Sequence, residues 1–323
     1  MNLLITGGAG YIGSTTANLF LDRGHEVYII DDLSRGNISN IPKKAKFIKS
    51  KIQNKNIVSS LLKTEKFDVL IHFAAFIDVE ESVRKSKMYQ QNNYENTVKL
   101  INLCMKYNLK NIIFSSTAAV YGNNKIGIVS EKSKTKPLSP YARSKLKSEN
   151  YIKATKDLNY IILRYFNVAG SDVRLRSGNI SKRKSTHLIK KICENFISNK
   201  KIDIYGNDYN TKDGTTIRDY IHVADLADAH FKSAKFLIKS KKSHIFNCGY
   251  GKGYSVLEVI KNFNLINKKK IKYKFAGRRE GDIYKLIAKS EKITKILKWR
   301  PKNQSIKKIL SSSLKWERKI SKL

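Results

Sequence analysis

Thr6-Gly7-Gly8-Ala9-Gly10-Tyr11-Ile12-Gly13 follows directly on the short apolar run Met1–Ile5 and precedes a helix-like run, Ser14–Leu21. An apolar run of that length before a glycine-rich turn indicates a buried strand. Gly7, Gly10 and Gly13 allow a sharp turn, a close backbone approach to a pyrophosphate and tight packing of the helix on its strand. The stretch therefore predicts a dinucleotide-binding turn, with the helix N-terminus offering free N–H groups to phosphates.

The second predicted strand indicates which dinucleotide is bound. Glu26–Ile30 ends in Asp31 and Asp32. A carboxylate at this place accepts hydrogen bonds from a ribose 2′-hydroxyl and repels a 2′-phosphate. Arg35 points the other way, because an arginine nearby can receive a 2′-phosphate. Since Asp31 is the better placed of the two, the sequence predicts NAD rather than NADP.

Alternation of apolar strands and helical stretches continues through the first half of the chain. The strands are Phe67–Ala75, Asn111–Thr117 and Tyr160–Asn167. Near-continuous apolar strands between helices indicate a parallel sheet covered on both faces. We therefore predict an α/β fold: a Rossmann-type doubly wound parallel sheet with a smaller C-terminal substrate-binding lobe. The expected NAD-binding domain is 1–168, with the chain returning around 222–248, and the lobe is 169–323.

A phenol and an ammonium four residues apart supply the predicted chemistry. On a helix, Tyr141 and Lys145 share one face, with Cβ atoms about 5–6 Å apart. A phenol has a pKa near ~10 and is a poor base at neutral pH, but a neighbouring cation favours the phenolate. Thr117 ends one strand, at the sheet edge where Asn167 ends another and where ligands bind. Tyr141, Lys145 and Thr117 are therefore the predicted catalytic residues.

Several phrases of the sequence resemble those of the extended short-chain dehydrogenase/reductase family. Four are typical of the whole family: Thr6–Gly13, Ser115–Gly122, Ser139–Lys145 and Arg164–Asn167. Two later phrases resemble those of its nucleotide-sugar epimerases: Asp213–Val223, and Arg278–Asp282, which is similar to their uridine-diphosphate clamp. The likeness extends over roughly residues 1–300.

The resemblance implies an enzyme that interconverts UDP-galactose and UDP-glucose by transient oxidation at C4 with tightly bound NAD. Tyr141 would take the proton of the sugar 4-hydroxyl, Lys145 would lower the phenol pKa and bind the nicotinamide ribose, and Thr117 would hold the reacting oxygen. The implied cofactor-binding residues are Gly7, Gly10, Tyr11, Ile12, Gly13, Asp31, Asp32, Leu33, Ser34, Arg35, Gly36, Lys51, Ile52, Phe73, Ala74, Ala75, Asn93, Tyr141, Lys145 and Phe166. The implied UDP-sugar-binding residues are Thr117, Asn167, His187, Leu188, Tyr205, Arg218, Arg279, Asp282 and Leu286.

Four positions depart from the family pattern. Lys51 replaces an aspartate that reads the adenine amino group, and a lysine cannot accept that hydrogen bond. Ile77 replaces a lysine of some members, and His187 replaces an asparagine. Leu286 occupies the position that gates the sugar 2-substituent, where tyrosine excludes an acetamido group and a small residue admits one. The alternative is therefore an epimerase or decarboxylase acting on another UDP-sugar, UDP-N-acetylglucosamine or a UDP-uronic acid.

Two rival functions explain the residues less well. A nucleotide-sugar 4,6-dehydratase needs an acid and a base after the threonine, and Ala118 and Ala119 cannot transfer protons. A noncatalytic NAD-binding regulator would explain the glycines but not the combination of Tyr141, Lys145 and Thr117.

A formal charge of +38 and a pI near 10.0 are typical of proteins that bind nucleic acid. Lysine outnumbers arginine and is spread along the whole chain, and clusters such as 182–184 and 268–270 are typical of solvated loops. We therefore expect nonspecific adhesion to polyanions but no specific nucleic-acid partner.

The cysteines and histidines indicate a reducing compartment and argue against a metal site. Cys104, Cys193 and Cys248 have no metal-like spacing and are typical of buried thiols in a reducing compartment, and the histidines form no cluster. No apolar run approaches the ~20 residues needed to span a bilayer, and no signal peptide is evident. We expect a cytoplasmic protein with no membrane association and no metal. A homodimer follows by analogy from the helices predicted at Asn96–Tyr107 and Tyr141–Lys156.

Overall fold

The computed structural model describes residues 1–180, 185–279 and 282–322. Within these ranges the chain forms fourteen strands: β1 (Asn2–Thr6), β2 (Glu26–Asp31), β3 (Lys46–Lys49), β4 (Val69–His72), β5 (Asn111–Thr117), β6 (Ile128–Val129), β7 (Asn159–Tyr165), β8 (Asn167–Ala169), β9 (Ile202–Tyr205), β10 (Ile217–His222), β11 (His244–Cys248), β12 (Gly253–Ser255), β13 (Tyr273–Ala276) and β14 (Lys285–Ala288).

The same ranges contain eleven α-helices: α1 (Tyr11–Asp22), α2 (Lys55–Thr64), α3 (Val79–Arg84), α4 (Ser86–Gln90), α5 (Asn96–Lys106), α6 (Pro140–Ala154), α7 (Leu188–Ile197), α8 (Val223–Ser240), α9 (Val256–Asn267), α10 (Glu291–Leu297) and α11 (Ile306–Ile320). A π-helical turn, Gln91–Glu95, joins α4 to α5. No helix of the described residues is long and apolar enough to cross a membrane.

Seven parallel strands form the central sheet, in the order β11-β7-β5-β4-β1-β2-β3. The strand order reverses at β1, which pairs with β2 on one side and with β4 on the other. In such a sheet the carboxyl ends of the strands next to the reversal open a crevice where ligands bind. The predicted doubly wound parallel sheet is confirmed, and the glycine turn after β1 lies at this crevice.

Both faces of the central sheet are buried, because successive side chains of a strand point to opposite sides. Leu3 and Ile5 pack into an apolar cluster with α1 and α8. Leu4, between them, packs into a second cluster with α2, α5 and α6. This double burial explains why the strands are almost continuously apolar in sequence.

The second half of the chain adds two smaller sheets. One has the order β12-β10-β14-β6, with β8 also paired to β10, and the other pairs β13 with β9. Helices α7, α9 and α11 pack with β8 and β9 around a third apolar cluster. Strand β11 pairs with β7 and belongs to the central sheet, so the later sequence contributes to both parts. The division at residue 168 stays a prediction.

The apolar run Tyr160–Asn167 forms two strands instead of the single strand predicted from sequence. Strand β7 ends at Tyr165, and the Phe166 N–H donates to the Cys248 carbonyl at 3.1 Å. Asn167 then opens β8, opposite Tyr220 of β10. Asn167 therefore lies at the junction between the central sheet and the five-stranded sheet.

Candidate active site

The glycine turn between β1 and α1 is too tight for side chains. Gly7 has φ +74°, and a Cβ there would lie 2.6 Å from the Ala74 backbone nitrogen. A Cβ on Gly13 would lie 2.4 Å from the Gly7 carbonyl oxygen. Gly10 is the N-cap of α1 and brings no side chain to the first N–H groups of the helix. The turn is thus a bare backbone cradle at a helix N-terminus, which fits the pyrophosphate of a dinucleotide.

The loop after β2 is folded against this turn. Asp31 accepts hydrogen bonds from the N–H groups of Ala9, at 3.0 Å, and Leu33, at 2.8 Å. Asp32 accepts from the Ser34 N–H at 2.9 Å. A Cβ on Gly36 would lie 2.7 Å from the Ala9 Cβ. The structure therefore brings the predicted cofactor residues of the two loops together. That Asp31 accepts a hydrogen bond from the ribose 2′-hydroxyl stays a prediction.

Arg35, the residue that pointed toward NADP, has an acidic partner. Its guanidinium lies 2.6 Å from the Glu81 carboxylate and 4.7 Å from the centroid of the Phe76 ring. Neither Glu81 nor Phe76 was singled out from the sequence. Both come from the segment after β4, so the segments that follow β2 and β4 are joined through this contact.

Asn93 joins the segment after β4 to the helix that carries Tyr141. Its side chain accepts from the Phe76 N–H at 2.8 Å and donates to the Phe76 carbonyl at 2.9 Å and to the Ser144 hydroxyl at 3.2 Å. Phe73 is tied to β1 through its N–H, which donates to the Thr6 carbonyl at 3.0 Å. The segment containing Phe73, Ala74 and Ala75 is therefore fixed at both ends beside the glycine turn.

Tyr141 and Thr117 meet at the carboxyl edge of the central sheet. Helix α6 begins beside this edge because the Ser139 hydroxyl accepts from the Ala142 N–H at 3.2 Å and Pro140 occupies the first turn. Tyr141 is only 9% exposed, and its hydroxyl lies close to Thr117. Burial raises the pKa of Tyr141 to about 12, and the interaction with the Thr117 side chain opposes this rise. The phenol is therefore protonated at neutral pH in the protein alone.

Lys145 is buried beside the same strand. Its Nζ donates to the Ser115 carbonyl at 2.7 Å and lies 4.8 Å from the centroid of the Phe114 ring. Burial lowers the pKa of Lys145 to about 7, against an opposing effect of the Glu149 carboxylate. The proposed effect of Lys145 on the Tyr141 phenol stays a prediction.

A buried polar network lies one helical turn beyond Lys145. Arg164 of β7 donates to Glu149 of α6 from Nε, at 3.0 and 3.2 Å, and from Nη2, at 2.6 Å. Ser116 donates to the same carboxylate, and Arg164 Nη1 donates to the Tyr121 hydroxyl at 2.9 Å. The sequence analysis missed this network, although the four-residue spacing of Lys145 and Glu149 placed them on one helix face.

The second group of predicted residues is assembled from β9, β10 and the segment before β14. Arg279 Nε lies 3.1 Å from the Asp282 carboxylate and its Cζ lies 4.7 Å from the centroid of the Tyr205 ring. Arg218 Nη2 lies 3.8 Å from the same carboxylate. Two guanidinium groups against one carboxylate leave positive charge, which suits a diphosphate. Two residues of the phrase Arg278–Asp282, at positions 280 and 281, lie outside the described residues.

Three more of the predicted substrate residues line one cavity. Asn167, His187 and Leu188 line one cavity with Tyr11, whose hydroxyl donates to the Gly170 carbonyl at 2.6 Å. Burial lowers the pKa of His187, so this imidazole is neutral at pH 7.

Leu286 lies close to the end of β5. It is 5% exposed and packs in one cluster with Phe166 and with Ala118, the residue after Thr117. In β14 it lies opposite Arg218 of β10. Position 286 therefore adjoins both Ala118, the residue after Thr117, and Arg218 of the predicted diphosphate-binding group.

Three positions noted in the sequence, 51, 52 and 77, differ in their exposure. Lys51 is exposed, whereas Ile52 is buried in the apolar cluster on the α2 face of the sheet. Ile77, the replacement noted in the sequence, is 59% exposed. Among the described residues, no group of three or more histidine, cysteine or acidic side chains could hold a metal ion.

Fold and site together define a Rossmann-type, dinucleotide-binding class of protein, and comparison with known proteins specifies it further. The model of the NAD dependent epimerase/dehydratase family matches residues 3–249. The UDP-glucose 4-epimerase of Azospirillum brasilense is 39% identical over 322 residues, 98% of this chain and 92% of that protein.

Solved structures of epimerases have the same fold as this chain. The UDP-glucose-4-epimerase from Stenotrophomonas maltophila, with bound NAD and formylated UDP-arabinopyranose, has a TM-score of 0.94 at 31% identity and covers 100% of this chain and 99% of its own. The UDP-Glc/GlcNAc 4-epimerase from Campylobacter jejuni has a TM-score of 0.84 at 40% identity, covering 98% and 99%. The chain belongs to the NAD dependent epimerase/dehydratase family, and the resemblance and the NAD cofactor predicted from sequence are confirmed.

Proposed function

We propose that the protein is a UDP-glucose 4-epimerase, interconverting UDP-galactose and UDP-glucose with tightly bound NAD. The observation that carries this proposal is the close approach of the buried Tyr141 phenol to Thr117, at the carboxyl edge of the sheet beside the glycine turn. Near full-length likeness to proteins of that name supports the same reaction. The guanidinium groups of Arg218 and Arg279 supply the charge that a uridine diphosphate requires.

In the proposed mechanism, the turn at residues 7–13 and the loop at 31–36 hold NAD. When bound, NAD supplies a reversible hydride acceptor and, in its oxidised form, a positive charge. Tyr141 removes the proton from the sugar 4-hydroxyl and later returns it to the 4-keto oxygen. Thr117 positions the reacting oxygen, and Lys145 stabilises the phenolate.

The diphosphate must stay bound while the sugar turns over. Arg218, Arg279 and Tyr205 would hold the uridine diphosphate, with Asp282 fixing both guanidinium groups. Because these groups come from a part of the fold separate from α6, the nucleotide can remain anchored while the sugar presents its other face to the Tyr141 side of the site.

An N-acetylated UDP-sugar is the second candidate substrate. Leu286 is smaller than tyrosine and larger than serine, and it lines the wall next to Thr117 through its contact with the cluster of Ala118 and Phe166. A structural relative at 40% identity is a UDP-Glc/GlcNAc 4-epimerase. We propose partial acceptance of UDP-N-acetylglucosamine, whereas no described residue specifically favours a uronic acid.

Incubation of the purified protein with UDP-galactose tests this proposal, with the nucleotide sugars separated by chromatography. We expect UDP-glucose to form until the two sugars reach equilibrium, without added NAD. The proposal would be wrong if UDP-galactose stayed unchanged while UDP-N-acetylglucosamine or a UDP-uronic acid was converted. Parallel incubations with those sugars therefore identify the substrate class in the same experiment.

We also propose a cytoplasmic homodimer. Cys104, Cys193 and Cys248 are buried free thiols, as in proteins of reducing compartments. Helices α5 and α6, the pair expected to meet a second copy, pack beside each other at the side of the central sheet. Light scattering of the purified protein would give its mass, and a monomer at micromolar concentration would contradict the dimer.

A further inference from the structure

Arg35 is the residue that could favour NADP, and its contacts determine whether its guanidinium is available to bind a 2′-phosphate. It lies in the loop after β2, next to Gly36, where a Cβ would lie 2.9 Å from the carboxylate of Asp31. An arginine at this place can receive a ribose 2′-phosphate through its planar fork of donors. Its own sequence position therefore favours a phosphate, while its spatial neighbours are acidic.

Glu81 meets this guanidinium from a separate element. Its side chain lies in the first turn of α3 and is 8% exposed, against 29% for the Arg35 side chain. The carboxylate also accepts a hydrogen bond from the Tyr89 hydroxyl at 3.0 Å, and Tyr89 is fully buried. Glu81 is therefore held in place by the fold and is not a loosely placed surface acid.

The guanidinium is covered on its face as well as at its edge. Phe76 lies beneath it at 4.7 Å and is itself fixed by two backbone hydrogen bonds to Asn93. A 2′-phosphate approaching Arg35 would have to displace a charge-assisted hydrogen bond that is already formed at 2.6 Å. It would also meet the repulsion of two carboxylates, those of Asp31 and Glu81.

We propose that Glu81 is a cofactor-specificity residue: by holding Arg35 on Phe76, it prevents that arginine from receiving a 2′-phosphate and so makes the protein selective for NAD. The inference concerns cofactor choice and rests on dinucleotide binding, not on the identity of the sugar. Asp31 and Glu81 then exclude NADP by different means. Asp31 acts by repulsion at the ribose, and Glu81 acts by occupying the only arginine that the sequence places in this loop.

The test compares protein variants by their affinity for NADP, measured by calorimetry on protein freed of bound nucleotide, and by the nucleotide that heat releases from the purified protein. Asp31→Asn supplies the background, since it removes the repulsive charge and keeps an acceptor for the Ala9 or Leu33 N–H. Adding Glu81→Gln should raise the affinity for NADP about 10- to 100-fold, the effect of one freed charge-assisted hydrogen bond. Adding Arg35→Ala as a third change should abolish that gain.

Tyr89→Phe is the matched control, because it removes a hydrogen bond from Glu81 and leaves the charge on Arg35 paired. In the Asp31→Asn background it should change the NADP affinity less than about twofold. A gain from Glu81→Gln that persists after Arg35→Ala would overturn the proposal, as would the absence of any gain in a folded variant.

A second comparison applies even if Glu81→Gln does not fold. With Glu81 intact, Arg35→Ala in the Asp31→Asn background should leave the NADP affinity within about twofold, because the arginine is already occupied. A tenfold loss there would mean that Arg35 is available and that Glu81 does not restrain it. Neither result depends on epimerase activity, so a wrong substrate assignment would leave this test unaffected.

Discussion

At the scale of single residues, the proposed chemistry depends on ionising a phenol that the fold keeps protonated. Burial raises the pKa of Tyr141 to about 12. At pH 7 the phenolate fraction of such a group is only about 10⁻⁵. The protein alone is therefore not yet an active base, and positive charge brought close to the phenol is required before it can remove a proton. Lys145 is the nearest cationic side chain on the same helix face.

Replacing the phenol tests its role directly. Tyr141→Phe keeps the ring that packs against the sheet and removes the only proton-transferring atom, so turnover should fall by on the order of 10²–10⁴. The content of bound NAD, measured in the heat-released nucleotide, should not change. Tyr151→Phe removes a phenol from the outer part of the same helix and should leave turnover unaffected. Wild-type turnover in Tyr141→Phe would exclude this residue as the base.

The charge of Lys145 should be visible in the pH dependence of activity. Lys145→Met removes a cation that favours the phenolate, so the acid limb of the profile of kcat against pH should move to higher pH. An unchanged profile would mean that Lys145 does not affect the phenol.

The same variant should change the pH dependence of stability. Burial lowers the pKa of Lys145 to about 7, so between pH 7 and its ordinary value of 10.5 the unfolded chain binds more protons there than the folded chain. The contribution of Lys145 to the free energy of unfolding must then rise with pH across this window. Urea titrations should show that the difference in the free energy of unfolding between wild type and Lys145→Met shifts in favour of wild type from pH 7 to pH 10. A constant difference would contradict the lowered pKa.

Leu286 should set the preference between sugars by volume. A hydrophobic wall that clashes by one or two methylene groups discriminates by only about 1–3 kcal/mol, so UDP-N-acetylglucosamine should be used tens to hundreds of times less efficiently than UDP-galactose. Leu286→Ser should raise kcat/KM for the acetylated sugar, and Leu286→Tyr should nearly abolish it while sparing UDP-galactose. If both variants keep the parental ratio of the two activities, the gate lies elsewhere, with His187 and Ile77 the next candidates.

At the scale of elements, the position of α6 on β5 determines whether Tyr141 reaches Thr117. Two successive residues of β5 hold the helix: the Ser115 carbonyl accepts from Lys145, and the Ser116 hydroxyl donates to Glu149. Arg164 of the neighbouring strand β7 completes the second contact with a bidentate ion pair to Glu149. Because α6 is anchored to the two residues of β5 before Thr117, the register of the helix against the strand is fixed where Tyr141 approaches Thr117.

Breaking that ion pair should cost far more than breaking one on the surface. Arg164→Met leaves the Glu149 carboxylate buried without its charge partner and should lower the free energy of unfolding by about 3–5 kcal/mol. The double variant Arg164→Met with Glu149→Leu should recover much of that loss, because no buried charge remains. Arg84→Met, at an ion pair about 70% exposed, is the control and should cost under about 1 kcal/mol. Urea unfolding measures all three, and a double variant no more stable than Arg164→Met would contradict this explanation.

Elements with a strong local pattern could be predicted from sequence, and contacts between distant elements could not. The strand Asn111–Thr117 was predicted with the bounds that the structure has, since its apolar run ends at a polar residue of the sheet edge. The break after Tyr165 was missed, because Asn167 pairs with Tyr220 of β10, far away in the chain, and the sequence has no local signal for that pairing. The pairing of Arg35 with Glu81 was missed for the same reason: neither residue has a local signal for the other.

At the scale of the whole molecule, the strand order explains how remote motifs form one site. The reversal at β1 brings the loops after β1, β2 and β4 to one crevice, and β5 with α6 adds Thr117 and Tyr141 beside them. The motifs could be ordered along the chain from sequence, but their distances depend on this topology. The roles of the individual residues stay predictions, whereas the family, the sheet and the cofactor are established.

The charge of the whole molecule is compatible with a doubly negative substrate. A formal charge of +38 attracts anions over a distance set by the ionic strength, so the approach of a nucleotide sugar should be favoured at low salt. Arg218 and Arg279, the two arginines proposed to hold the uridine diphosphate, would then act at short range. The long-range field is spread along the chain and gives no specificity, which comes from the assembled site.

Transfer of the hydrogen at C4 tests the central claim most directly. In the proposed reaction the hydrogen leaves C4 and returns to the same carbon on its other face without entering solvent. UDP-galactose carrying deuterium at C4 should therefore give UDP-glucose that retains the deuterium at C4, as mass spectrometry and NMR can measure in ordinary water. Loss of the deuterium to solvent during conversion would contradict transient oxidation at C4 and would require a different mechanism for this site.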